Sequence, residues 1–246
     1  MIRALTTAAV ISVIAGATQA EPTRVMVRAQ AADAKFIGDN MGGVKVTLTD
    51  AATNRVLARG LIKGGTGDTT RIMMTPRVRG APITDGGTAG FEAVLDIMEP
   101  TLVRVDAEGP VGKPGASIRV SSTQWVLPGR NVGGDGWILT FPGLVIEPQT
   151  AAGAGTGLKV EAKVSLMCGC PIEPGGLWDA NGYSVEATLR RGPKTIASTP
   201  LTYAGTASQF AGQFSALPRG RYTLRVIASD AKSANAGVSE MPVRIP

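Results

Sequence analysis

The chain has no histidine and only two cysteines among its 246 residues, and aromatic side chains make up 4% of it. Without imidazole, the usual base for a serine or cysteine nucleophile is missing. A structural zinc site wants four Cys or His ligands, so one pair of thiols does not make one. Basic residues are scattered, with short groupings at Arg71/Arg77/Arg79 and Arg190/Arg191/Lys194, and nucleic acid would want a denser basic stripe interleaved with aromatics. The glycine clusters do not form a phosphate loop: Gly112-Lys113 is followed by Pro114 and lacks the earlier glycine. The carboxylate pairs Glu92/Asp96 and Asp106/Glu108 fall on alternating strand patterns and read as solvated faces. Beyond the N-terminus no apolar run approaches the ~20 residues of a membrane-spanning helix. The expectation is a protein that is not an enzyme, binds no nucleic acid and has no transmembrane segment.

What is present begins with an export pattern. Residues 1–20 carry one charge, Arg3, then the apolar run Ala8 to Ala15, then Gly16-Ala17-Thr18-Gln19-Ala20 with small residues at a cleavage site. A cleaved signal peptide over 1–20 implies a periplasmic, secreted protein. The net charge of +6 would fall to +5 with the loss of Arg3, which suits solubility and mild attraction to anionic partners. About 225 remaining residues bury a core without staples, so the cysteines are not needed as a fold clamp.

From Thr23 onward the pattern is all-β. Segments such as Arg24–Arg28, Val44–Thr49 and Leu102–Asp106 place apolar residues at every second position. Gly/Pro punctuators separate them, among them Lys63–Asp68, Asp85-Gly86-Gly87 and Gly109-Pro110. Gly133–Gly136 before Trp137 reads as a hairpin turn. Trp125 and Trp137 are assigned to the core or rim of the first domain. The charge-free stretch Gln149–Gly157 reads as a Gly/Ala linker. The expected organisation is therefore a β-sandwich over 21–148, a linker over 149–157, and an immunoglobulin-like β-sandwich over 158–246.

Two segments resemble known sandwich modules. Phe210 to Val226, in which Leu217-Pro218-Arg219-Gly220 leads into Tyr222-Thr223-Leu224-Arg225-Val226, is similar to a hairpin of bacterial immunoglobulin-like and fibronectin-like modules. Val44 to Gly60, with Thr49–Asn54 as its turn, resembles the opening hairpin of carboxypeptidase-regulatory-like or prealbumin-like sandwiches. Each resemblance implies a fold and transfers no catalytic residue.

Chemistry concentrates in Met167-Cys168-Gly169-Cys170-Pro171. In an extended strand Cys168 and Cys170 point to one face and Met167 to the other. Pro171 ends the ladder, so the pair is expected where a strand over 160–167 gives way to the long loop Ile172–Gly182. Three readings stay open. The pair forms a Cys168–Cys170 disulfide that pins a loop. It holds Cu(I) through two thiolates with Met167 as a thioether, since soft sulfur selects that ion. Or it exchanges disulfides with a client. Met41, Met73, Met74, Met98 and Met241 are further thioether candidates wherever the fold brings them near. Trp178 is assigned to shield the pair, to dock a partner or to fill core, and Asp179–Gly182 to turn chemistry. The leading expectation is a periplasmic accessory protein that binds or delivers Cu(I), or assists maturation of a client enzyme. Its partner would be another periplasmic protein. The alternatives are a scaffolding or adhesive module with a structural disulfide, and a thiol-exchange partner.

Overall fold

The computed structural model describes residues 21–246, and the expected signal peptide lies outside the described residues. The described chain is all-β: fifteen strands make four sheets that stack as two sandwiches, with only single helical turns between them. Among the described residues no helix is long and apolar enough to cross a membrane.

The first sandwich takes β1 (Thr23–Ala31), β2 (Val44–Asp50), β3 (Val56–Ile62), β4 (Phe91–Leu95), β5 (Thr101–Gly109), β6 (Ile118–Val126) and β7 (Val132–Phe141). One sheet runs β4-β1-β7, with β1 and β7 parallel, and the other runs β3-β2-β5-β6. Alternation sets the faces: Val44, Val46 and Leu48 of β2 and Val103, Val105 and Ala107 of β5 turn inward. The β2–β3 hairpin forms as its resemblance implied.

An insertion between β3 and β4, residues 63–90, folds over the outer face of the β4-β1-β7 sheet. Phe36, Ile72 and Ile83 make a small second core there. Arg28 of β1 is buried beneath the insertion and donates from Nη1 to the Thr88 and Ala89 carbonyls. The expected hairpin turn at Gly133–Gly136 is instead an irregularity inside β7. The pairing with β1 slips between Val25↔Val132 and Val27↔Trp137, and Gly134 and Gly136 adopt φ of 63° and 76°. The bulge aims Asp135 at the insertion, where its carboxylate accepts from the Ile83 and Thr84 N–H groups at 2.9 and 3.0 Å.

The second sandwich starts earlier than composition implied. Strand β8 (Leu144–Ala152) pairs along its whole length with β9 (Leu158–Leu166), from Leu144↔Leu166 to Ala152↔Leu158. Gln149–Gly157 is therefore no linker: residues 149–152 are strand, and Gly153 and Gly157 close a hairpin turn. Small uncharged residues suit an exposed edge hairpin as well as a flexible tether, and composition alone does not separate the two. The chain passes between sandwiches at Pro142-Gly143.

The remaining strands are β10 (Tyr183–Arg191), β11 (Lys194–Pro200), β12 (Thr202–Tyr203), β13 (Gln209–Phe214), β14 (Gly220–Asp230) and β15 (Ala236–Ile245). The sheets run β12-β13-β9-β8 and β11-β10-β14-β15. Lettered in chain order from β8, these are D-E-B-A and C′-C-F-G, the Greek-key arrangement of an immunoglobulin-like sandwich. The corner before strand F carries its usual tyrosine: the Tyr222 hydroxyl donates to the Pro218 carbonyl at 2.6 Å.

Candidate functional site

Strand β9 alternates cleanly, with Leu158, Val160, Ala162 and Val164 inward, and then stops at Leu166. The next residues do not extend it. The Gly169 N–H donates to the Leu166 carbonyl at 2.8 Å, so the chain turns back on itself at Met167-Cys168. Gly169 sits at φ 74°, where glycine is favoured. A Cβ there would lie 2.8 Å from both Asn40 Nδ2 and the Met41 sulfur.

Within this turn Cys168 and Cys170 are joined as a disulfide, with Cα atoms 5.3 Å apart. The expected alternation fails, because Met167, Cys168 and Cys170 are all buried, the two cysteines at 0% and 3% exposure. The reason is tertiary. The turn is pressed against the helical turn Asp39–Met41 of the first sandwich, and Asn40 Nδ2 donates to the Cys168 carbonyl at 2.8 Å. Met167 packs beside the crossing point, its methyl 3.1 Å from the position a Cβ on Gly143 would take. The pair lies at the end of β9, where the loop begins, and in the seam between the sandwiches.

Two further side chains complete the seam. Trp178, from the loop after the pair, is core, and its Nε1–H donates across the seam to the Asp33 carbonyl at 2.9 Å. Asn235, buried at the β14–β15 turn, accepts from the Gly143 N–H at 2.8 Å and donates from Nδ2 to the Ala32 carbonyl at 2.9 Å. Asn40 and Asn235 were invisible to motif reading, because an isolated asparagine in a turn carries no signal of distant contact. One continuous core runs through the seam, holding residues of both sandwiches, among them Met41, Phe141, Leu144 and Cys168.

Asp179 behaves as a turn residue. Its carboxylate lies below the usual range because the Asn181 and Gly175 N–H groups donate to it. Burial pushes the neighbouring Tyr183 phenol upward, and Asp230 and Asp33 add to the shift.

Among the described methionines, Met41 lies against the turn beside Gly169. Met73 and Met241 pack elsewhere, and Met74 and Met98 are exposed. Among the described residues no group of three or more His, Cys, Asp or Glu side chains is placed to hold a metal. Any soft-ion site would thus combine the two reduced cysteines with the Met41 or Met167 thioether. Trp137 is core at 6% exposure, whereas Trp125 stands 65% exposed on the outer face of β6.

No protein-family model and no curated protein matches the chain. Among solved structures it is similar to the chicken interferon gamma receptor alpha chain, at 9% identity over 92% of this chain and 98% of that one, with a TM-score of 0.32. It is also similar to Bacteroides uniformis β-glucuronidase 3, at 13% identity over 91% of this chain and 25% of that one, with a TM-score of 0.21. Likeness at this level carries no function, and the fold assignment rests on the strand order and the tyrosine corner.

Proposed function

We propose that this chain is a non-enzymatic, periplasmic scaffolding module, whose two sandwiches act as one rigid body toward another periplasmic protein, with the Cys168–Cys170 disulfide shaping one turn of the seam between them. The observation that carries this reading is the burial of both cysteines between the sandwiches. A catalytic or exchanging disulfide needs an attacking thiolate to reach a sulfur, and the seam covers both. The entropic value of so small a ring is well below the ~3 kcal/mol of a 15-residue loop. The bridge acts locally, holding the Gly169 turn in the shape that meets Asn40 and Met41.

The test is thiol accessibility in the folded protein. After brief exposure to a mild phosphine at neutral pH, the native pair is expected to remain unlabelled by a maleimide, and to label fully once urea unfolds the chain. Rapid native labelling would reject a structural role.

The sulfur-rich surroundings of the turn favour a second reading. With the bridge reduced, Cys168, Cys170 and the Met41 or Met167 thioether form a soft donor set suited to Cu(I). Anaerobic Cu(I) titration of the reduced protein against a chromophoric chelator separates the two. One equivalent retained by the native chain and lost from Cys168→Ser/Cys170→Ser would select copper handling, and no competition would leave the scaffold.

A further inference from the structure

Among the described residues the outer face of the β3-β2-β5-β6 sheet has no structural partner, and it is not an apolar face awaiting a lid. Cross-strand register arranges it in transverse rows: Thr49, Arg104 and Thr123; then Thr47, Asp106 and Ser121; then Lys45, Glu108 and Arg119. The β2 and β5 members of these rows, with Arg119 and with Asn54 and Val56 beside them, line an open groove of about 590 Å³, and Ser121, Thr123 and Trp125 lie on β6 beyond it. One register step beyond the first row, Trp125 stands beside Leu102 with its indole turned to solvent. From Arg119 to Trp125 the face extends roughly 20 Å at the usual strand rise.

The chemistry of the rows narrows what fits. Arg104 holds Asp106 at 2.9 Å and Arg119 holds Glu108 at 2.7 Å, while the Ser121 hydroxyl donates to Asp106. These partly exposed charged pairs leave lone pairs and N–H groups free toward solvent, and threonine and serine hydroxyls stand between them. A protein interface would want a core depleted of charge. A nucleic acid would bring its phosphates against two carboxylates and find one aromatic. A polyhydroxylated chain matches the rows: vicinal hydroxyls bridge the fixed donors and acceptors, and the C–H face of a sugar ring lies on an exposed indole. Charge sets the class of sugar. Lys45 and Arg59, which lies opposite Thr47 in the register, leave four cations against two carboxylates on this face.

We propose that this face binds an acidic polysaccharide, with Trp125 as the stacking platform and the unbalanced cations of the rows receiving sugar carboxylates. The site is independent of the disulfide seam and of the scaffolding reading.

The test is affinity electrophoresis of the purified protein through native gels containing polygalacturonate or, in parallel, neutral dextran. Polygalacturonate is expected to retard the protein, dextran not. Because a cationic protein drifts toward any polyanion, the deciding variant is Trp125→Ala, which leaves charge unchanged and removes a solvent-exposed side chain. It is expected to weaken retardation at least roughly tenfold with an unaltered melting temperature, and Trp125→Phe to recover part of it. Trp137 and Trp178 are buried, so the red-edge tryptophan emission belongs to Trp125. Its protection from acrylamide by polygalacturonate is a second readout. No retardation, retardation undiminished in Trp125→Ala, or equal retardation by dextran would each overturn the proposal.

Discussion

Tyr222 shows how much one side chain holds. Its ring is buried, its hydroxyl donates to the Pro218 carbonyl at 2.6 Å and accepts from Arg191 Nη2 at 2.9 Å, and the Arg191 guanidinium lies 4.7 Å from the ring centre. Tyr222→Phe keeps the packing and removes two hydrogen bonds whose partners, Pro218 and Arg191, are exposed and can turn to water, so a loss of about 0.5–1.5 kcal/mol is expected, read from urea midpoints at unchanged m-value. Gly169 is the matching case in the seam. Gly169→Ala adds a Cβ 2.8 Å from Asn40 Nδ2 and the Met41 sulfur at a φ that side chains disfavour, and it is expected to cost about 1–3 kcal/mol by the same measurement. Both residues were legible as motifs, the tyrosine in Leu-Pro-x-Gly-x-Tyr and the glycine between two cysteines. Their partners were not, because Arg191 and Asn40 lie 31 and 129 positions away in the chain and only the folded topology brings them close.

Strands were legible where one face is buried, since period-two alternation in β2, β5 and β9 reports which side meets the core. The reading failed where composition mimics a tether. Residues 149–152 carry no apolar alternation, yet they finish β8 against β9. A fragment over 149–246 removes Leu144, Val145 and Ile146, all buried, and opens one side of β9. It is expected to unfold at a clearly lower urea concentration than a fragment over 143–246, by circular dichroism. The insertion over β4-β1-β7 makes a second element-scale case, this one dependent on pH. Partial burial works against the Asp135 charge, but hydrogen bonds from Ile83 and Thr84 outweigh it and hold the carboxyl below its usual range. A depressed folded value means the ionised form stabilises the native state. That contribution is present above the unfolded pKa, near ~3.9, and is lost as pH falls through the lower folded value. Amide exchange at Ile83 and Thr84, corrected for intrinsic rates, should therefore lose protection below about pH 4 while the β2 and β5 amides keep theirs.

At the scale of the whole molecule the question is whether two sandwiches behave as two domains. Each has its own pair of sheets, and a chain crossing of two residues would ordinarily leave them free to move. The seam argues otherwise. Its hydrogen bonds from Asn40, Trp178 and Asn235 are inter-sandwich and partly buried, and the apolar core is continuous across it. Asn235 is the strongest tie, because one buried amide serves the crossing point at Gly143 and the Ala32 carbonyl of the first sandwich. Removing it leaves a half-buried donor at Gly143 and a half-buried acceptor at Ala32 without this side-chain partner. The native chain is accordingly expected to melt in one calorimetric transition whose van't Hoff and calorimetric enthalpies agree. Asn235→Ala should cost about 1–3 kcal/mol and split the transition in two. Reduction of Cys168–Cys170 should shift the single transition of the native protein down by only a few degrees, since the small ring contributes little entropy. Two transitions in the unmodified chain would mean that the seam is a contact between independent domains, and would remove the mechanical basis for a rigid scaffold.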